Sequence, residues 1–458
     1  MAELGVTHVQ IQPFYDYASV DESNVSSTMS AENYNWGYDP QNYNCLEGSY
    51  SSDPCDGYAR VLEFKQMVMA MHDKGLNINM DVVYNHTYSI NSNFQLLVPY
   101  YYYRTSNAGV FKNGSGCGNE VASDRLMMRK FIVESTAFYT DEYHLSGFRF
   151  DLMGLEDNQT MIDVYKAVSA IDPNTLIYGE PWDMGSLKTA YDPDKLSNQK
   201  TIQKSLSQDY FYGEGNYVGA FNDGLRNAAR GDNGPGKGFV QGKGDGSTLL
   251  AGISGLFSTS DKTLSPIQNL NYVSCHDNYT LYDQLVQTVP ESRDFEAAYS
   301  QANSIVGLSE GLAFFQEGDD FMRSKDYIDE DENLCYEENS YNVGDFINDM
   351  DYDLKADNIE MFELTKALIA TRNAHRALAL PTREAITAGL TNLKAEDGTV
   401  SYTVTDGNET IFVAHSQSGA TLNVQGTVLF DNIDNTRAGY DLSSVELAAN
   451  ETIALLID

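Results

Sequence analysis

The chain has 458 residues, 66 of them Asp or Glu and 29 Lys or Arg, for a formal charge of −37. That length predicts two or three domains, or one large barrel with an appendage, and a 42% hydrophobic content excludes wholesale disorder. The charge excludes a nucleic-acid partner, since a polyanion would be repelled, but leaves an uncharged substrate unaffected.

No apolar run reaches the roughly 18 residues of a membrane span, so no membrane partner is expected. The first residues lack a basic and then apolar leader, and the compartment is left open. Cys45, Cys55, Cys117, Cys275 and Cys335 form no CxxC pair, so neither a zinc site nor a disulfide framework is expected. Cys45 and Cys55 share one loop, and their pairing stays open.

In chain order, residues 6–12 (VTHVQIQ) read as a strand ending at Pro13. Residues 57–74 read as a helix, with Val61, Phe64, Val68 and Met71 at helical spacing and Gly75 where a C-cap belongs. A second strand covers 76–83. Ser123 is placed to cap a helix running to about His144. A strand at 147–152, a helix at 157–170 and a strand at 176–179 follow. Residues 271–275 and 311–315 are buried-strand candidates, and a helix at about 357–379 closes the series. Loops 14–56, 87–122 and 183–270 are too long for connectors and are assigned to substrate binding or insertion.

Strands alternating with helices predict a parallel sheet. Chemistry-bearing residues follow the strands: Tyr84 to His86, Asp151, Glu180 to Trp182, and His276 with Asp277. That is the pattern of a (β/α)8 TIM-type barrel, whose active site lies at the C-terminal ends of its strands. After residue 382 the texture changes to alternating β-branched runs with Gly-containing turns. The expected organisation is therefore a barrel domain over 1–382 and an antiparallel β-sandwich over 383–458.

Asp151, Glu180 and Asp277 each stand at a strand end. Two carboxyls about 5–5.5 Å apart can run retaining glycoside hydrolysis, and a third can stabilise the oxocarbenium-like transition state. Surroundings split the roles. Tyr178 and Trp182 are expected to wall Glu180 and keep it protonated as the acid. Arg149, two residues before Asp151 on the same strand face, is expected to hold it ionised as the nucleophile. His86 and His276 read as neutral donors to sugar hydroxyls.

The same residues carry a family resemblance. DVVYNH (81–86), GFRFDLMG (147–154), YGEPW (178–182) and VSCHDN (273–278) resemble, in order, the four signature regions of the α-amylase superfamily of glycoside hydrolases. YNWGYDP (34–40) is similar to the motif marking type I pullulanases, the α-1,6 debranching enzymes. FFQEGDDFMRSK and ENSYNVGDFIN, from residue 314 on, resemble their eighth strand and its loop.

The resemblance implies Asp151 as nucleophile, Glu180 as proton donor and Asp277 as transition-state stabiliser. It implies a sugar subsite shaped by Arg149, His86, His276 and Trp182, with Tyr38 stacked on a sugar face. Asp81 and Asn85, calcium-linked or structural in relatives, are assigned to the scaffold. No cofactor is required and no metal ligand is assigned, although a structural calcium ion is compatible. The acids of 326–338 lack the glycine and spacing of an EF-hand.

The implied partner is a branched α-glucan: pullulan, limit dextrin, or glycogen or amylopectin fragments. The resemblance further implies a barrel strand and helix ahead of residue 6, so the expected barrel is short of its first βα unit. Two alternatives are an impaired α-glucan-binding fragment and an α-1,4-acting amylase or transglycosylase.

Overall fold

The computed structural model describes residues 1–25, 30, 33–182, 218–255 and 265–457. Two units divide the chain: residues 1–2, 6–220 and 341–346 form the first, and 3–5, 221–340 and 347–458 the second.

In the first unit, short apolar runs become a parallel sheet. Its strands are β1 (His8–Ile11), β4 (Asn77–Val82), β5 (Gly147–Phe150), β6 (Leu176–Gly179) and β7 (Val218–Phe221), in that order; β2 (Tyr15–Tyr17) and β3 (Pro40–Leu46) pair antiparallel beside them in sequence. Helices Gly57–His72, Leu126–Tyr143 and Asn158–Ser169 alternate with the sheet strands.

The register stacks polar side chains in layers. Gln10 stands opposite Asn79, Asp81 opposite Arg149, and Arg149 opposite Tyr178. Gly147 is required in the lower layer, because a Cβ there would lie 2.4 Å from the Asn79 Oδ1. Tyrosines fix the end of β4: Tyr43 donates to the His86 carbonyl (2.6 Å), Tyr139 to the Tyr43 carbonyl (2.7 Å), and the Val83 N–H donates to the Tyr15 hydroxyl (2.6 Å).

In the second unit, β8 (Asn269–Asn271) and β9 (Leu312–Ala313) pair in parallel, among helices Asp223–Arg230, Gly246–Ile253, Leu281–Thr288, Phe295–Leu308 and Ile359–Ala374. The acidic stretch forms a hairpin, β10 (Asp326–Ile328) with β11 (Leu334–Tyr336).

The C-terminal segment adds a six-stranded antiparallel sheet. It is built from β12 (Leu390–Glu396), β13 (Thr399–Asp406), β14 (Glu409–Ser416), β16 (Gly426–Asp431), β17 (Asp441–Leu442) and β19 (Thr452–Ile457). A second sheet pairs β15 (Ala420–Leu422) with β18 (Val445–Leu447). Period-two alternation buries both faces of the larger sheet. Phe412, Ala414, Ile453 and Leu455 join Val445 and Leu447 in the sandwich core. Ile411, Val413, Ala454, Val400 and Tyr402 pack with Ile305 and Leu308 of the Phe295–Leu308 helix.

The expected fold class therefore stands: βα repeats of a TIM-type barrel with a C-terminal antiparallel β-sandwich. Local expectations shift. Ser123 caps no helix; its hydroxyl accepts from Arg104 (3.1 Å) and from the Asp157 N–H (3.0 Å), and the helix starts at Leu126. The strand expected at 271–275 lies at Asn269–Asn271, since the Val273 carbonyl takes the Arg230 guanidinium (2.5 Å) in place of a strand neighbour.

Among its described residues the expected loop 183–270 holds β7 and the helices Asp223–Arg230 and Gly246–Ile253; residues 183–217 and 256–264 lie outside the described ones. Cys45 and Cys55 are free thiols. Among the described residues no helix is long and apolar enough to cross a membrane.

Candidate active site

Arg149 organises the strand ends of the first unit. Its side chain is 2% exposed, which makes a bare guanidinium untenable, and carboxylates surround it. Nη1 donates to Asp81 Oδ1 (2.9 Å) and Asp151 Oδ1 (3.1 Å), and Nη2 donates to Glu180 Oε1 (2.5 Å). A planar fork with five donors can bridge three carboxyls in this way; a lysine could not. Asp151 and Glu180, from adjacent strand ends, thus occupy the two ends of one cation.

The backbone completes the grip. Leu152 is left-handed, with φ 41° and ψ 45°, a conformation that costs a bulky L-residue about 1–3 kcal/mol. In return its N–H reaches Glu180 Oε2 (2.9 Å). Close behind, the Gly154 N–H donates to the Glu180 carbonyl (2.9 Å), and a Cβ at Gly154 would lie 2.1 Å from the Trp182 carbonyl. Trp182 is half-buried and meets the site through this backbone contact.

Asn85 donates from Nδ2 to both Asp151 Oδ2 (2.8 Å) and the Asp151 carbonyl (2.9 Å). Its Oδ1 is therefore the acceptor that faces His86 Nδ1 (2.7 Å), and His86 Nε2 lies 2.8 Å from the Tyr38 carbonyl. Burial pushes the His86 imidazole below its usual value, against the pull of Asp151. Each ring nitrogen faces a protein acceptor. Tyr38 donates its hydroxyl to Asp81 Oδ2 (2.6 Å), and its ring lies 5.8 Å from the Arg149 guanidinium.

Asp81 and Asn85, read from the sequence as scaffold, are direct members of the cluster. Parallel register brings them in: Asp81 is the register partner of Arg149, and Asn85 lies four residues on in the same run. Burial pushes the Asp81 carboxyl up to about 7; Arg149 pulls it down and Asp151 pushes it further up. Tyr178 spans two layers. Its hydroxyl donates to Gln10 (2.8 Å) and accepts from Asn79 (3.2 Å), so its polar end reaches the layer below.

His276 and Asp277 belong to the second unit, on the turn after β8, with His276 Nε2 3.8 Å from Asp277 Oδ2. The Asp277 side chain is 42% exposed. Asn278 follows in a left-handed conformation (φ 66°).

Among the described residues, Asp16, Glu22 and Glu47 form one group of acids whose ligand atoms lie within 4.8 Å of one another. Arg60 donates to both Glu22 oxygens (3.1 and 2.9 Å) and already supplies countercharge there. In the β10–β11 hairpin, Asp329 Oδ1 accepts from the N–H groups of Asp331 (2.9 Å) and Asn333 (2.8 Å), turn bonds rather than a cation cradle.

The α-amylase catalytic-domain family model matches residues 1–104. The chain is 34% identical over 418 residues to the pullulanase of Bacillus subtilis strain 168, covering 89% of this chain and 54% of that protein. Among solved structures, the Paenibacillus barengoltzii pullulanase in complex with maltohexaose and α-cyclodextrin superposes with a TM-score of 0.86 at 35% identity, covering 99% of this chain and 70% of that one. The Bacillus acidopullulyticus pullulanase superposes with a TM-score of 0.88 at 33% identity, covering 99% and 55%. The chain spans about half the length of the B. subtilis relative.

Proposed function

From the premise that this chain belongs to the type I pullulanases of the α-amylase superfamily, we propose that it cleaves α-1,6 branch linkages with retention. Its substrates are pullulan, limit dextrins and related α-glucans. The observation that carries this reading is the single Arg149 guanidinium holding Asp151 and Glu180 together.

Asp151 attacks the anomeric carbon while Glu180 gives its proton to the glycosidic oxygen; the C–O bond breaks and a glycosyl–Asp151 ester forms. Glu180 then takes a proton from water, the water oxygen bonds the same carbon, and Asp151 leaves as carboxylate. Asn85 and Arg149 orient Asp151 for attack. Arg149 and the Leu152 N–H orient Glu180 for that transfer. Asp277 serves as the third carboxylate. Tyr38, His86, His276 and Trp182 shape the sugar subsite. Residues 1–382 act as the catalytic domain and 383–458 as its β-sandwich partner. No organic cofactor enters these steps.

Pullulan and linear amylose, assayed side by side, test the reading. The chain should release maltotriose from pullulan and leave amylose intact, and Glu180→Gln should lower kcat by at least about 10^3-fold. Undiminished hydrolysis by Glu180→Gln would falsify the acid–base assignment, and binding of maltooligosaccharides without turnover would leave only a glucan-binding role.

A further inference from the structure

The turn that presents Asp277 is fastened at several points within the second unit. The Val273 carbonyl accepts from Arg230 Nε (2.5 Å), and the Ser274 hydroxyl donates to buried Asp319 (2.5 Å). At Asn278 the backbone turns left-handed, and there the carbonyl accepts from Lys325 Nζ at 2.7 Å. The same ammonium donates to the Glu338 carbonyl at 3.1 Å. Lys325 is 2% exposed, an expensive burial for an ammonium. A buried charge that donates to two backbone carbonyls, one of them next to an exposed acid, serves geometry.

We propose that Lys325 is a positioning residue for Asp277: by holding the Asn278 carbonyl it sets the left-handed turn and hence the direction in which the Asp277 carboxylate is presented. The inference rests on the reading of Asp277 as the third carboxylate of the glycosidase.

The groups facing Lys325 are mixed. Burial pushes its pKa down to about 8 and Arg323 pushes the same way, whereas Asp283, Glu337 and Asp277 favour the charge. Asp283 also accepts from the Lys325 N–H (3.0 Å) and the Ser324 hydroxyl (2.5 Å), so the lysine backbone is fixed independently of its ammonium. Loss of the proton therefore loosens the turn and leaves the strand in place.

Amide exchange protection over residues 274–280 reads the turn, and kcat on pullulan reads its consequence. In the wild type, both should fall as pH rises through about 8. Lys325→Met should show at least about tenfold faster exchange over 274–280, unchanged protection over 147–153, and a kcat lowered about 100-fold with KM within about threefold. Its pH profile should lack the alkaline limb. Equal protection in the two proteins, or a Lys325→Met variant that keeps the limb near pH 8, overturns the inference. Should Lys325→Met not fold, the wild-type protection measured from pH 6 to 9 decides alone, and a flat course overturns the inference. A wild type with ordered exchange behaviour but no turnover on any α-glucan refutes the glycosidase reading, while the exchange data still decide whether Lys325 holds the turn.

Discussion

The turns after Asp151 and Asp277 solve one problem by different means. Each acid is followed by a non-glycine residue in the left-handed region, Leu152 at φ 41° and Asn278 at φ 66°. Asparagine tolerates that region because its short polar side chain bonds locally, whereas leucine does not. The Leu152 turn therefore has to be over-determined, and it is: its N–H is spent on Glu180, and Arg149 and Asn85 hold Asp151, whose side chain is 13% exposed. Asp277, at 42% exposure, sits on a turn whose own strain is mild and whose direction comes from Lys325 beneath it. Strain is placed where an acid must be fixed most rigidly.

Breaking the first turn should cost most. Arg149→Lys replaces a three-carboxyl fork by one point charge and leaves buried carboxylates unpaired, a loss of about 3–5 kcal/mol in stability. Denaturant unfolding should show a lower midpoint, and kcat on pullulan should fall at least about 10^3-fold. A near wild-type midpoint would contradict the account of Arg149 as organiser.

A smaller effect should follow pH. Burial pushes Asp81 and Glu156 in the first unit, and Asp319 and Glu310 in the second, up to about 7. A carboxyl raised in the folded state contributes stability that is fully present below its unfolded pKa and lost as pH rises through the folded value. Tm should therefore fall between pH 5 and pH 8, and Asp319→Asn should flatten that fall. A Tm that rises over the same range would exclude these groups as its source.

The smallest effect separates the turns directly. Glycine relieves left-handed strain, so Leu152→Gly should recover about 1 kcal/mol against the loss of its half-buried side chain. Asn278→Gly should change stability by less than about 0.5 kcal/mol. Equal shifts in urea midpoint would mean that the turns are alike.

Most of the barrel half and the pairing of Asp151 with Arg149 were legible because they obey short-range rules. A strand alternates, and residues two apart share a face. The period-two runs of the C-terminal sheets were equally plain. Two things were not visible. The cluster membership of Asp81 and Asn85 depends on parallel register, which sets Asp81 beside Arg149 across 68 positions of chain, and register is a property of two strands together. The polar partners of Tyr178 were hidden for a related reason: Gln10 and Asn79 come from other strands.

The central claim is that Asp151 bonds the sugar while Glu180 moves the proton. Glu180→Gln incubated with an α-maltotriosyl fluoride tests it, since fluoride leaves without acid help while the base that activates water for deglycosylation is missing. Mass spectrometry of the digested protein should find a maltotriosyl adduct on the peptide containing Asp151. An adduct on another carboxylate, or none while the wild type turns over the same fluoride, would contradict the account.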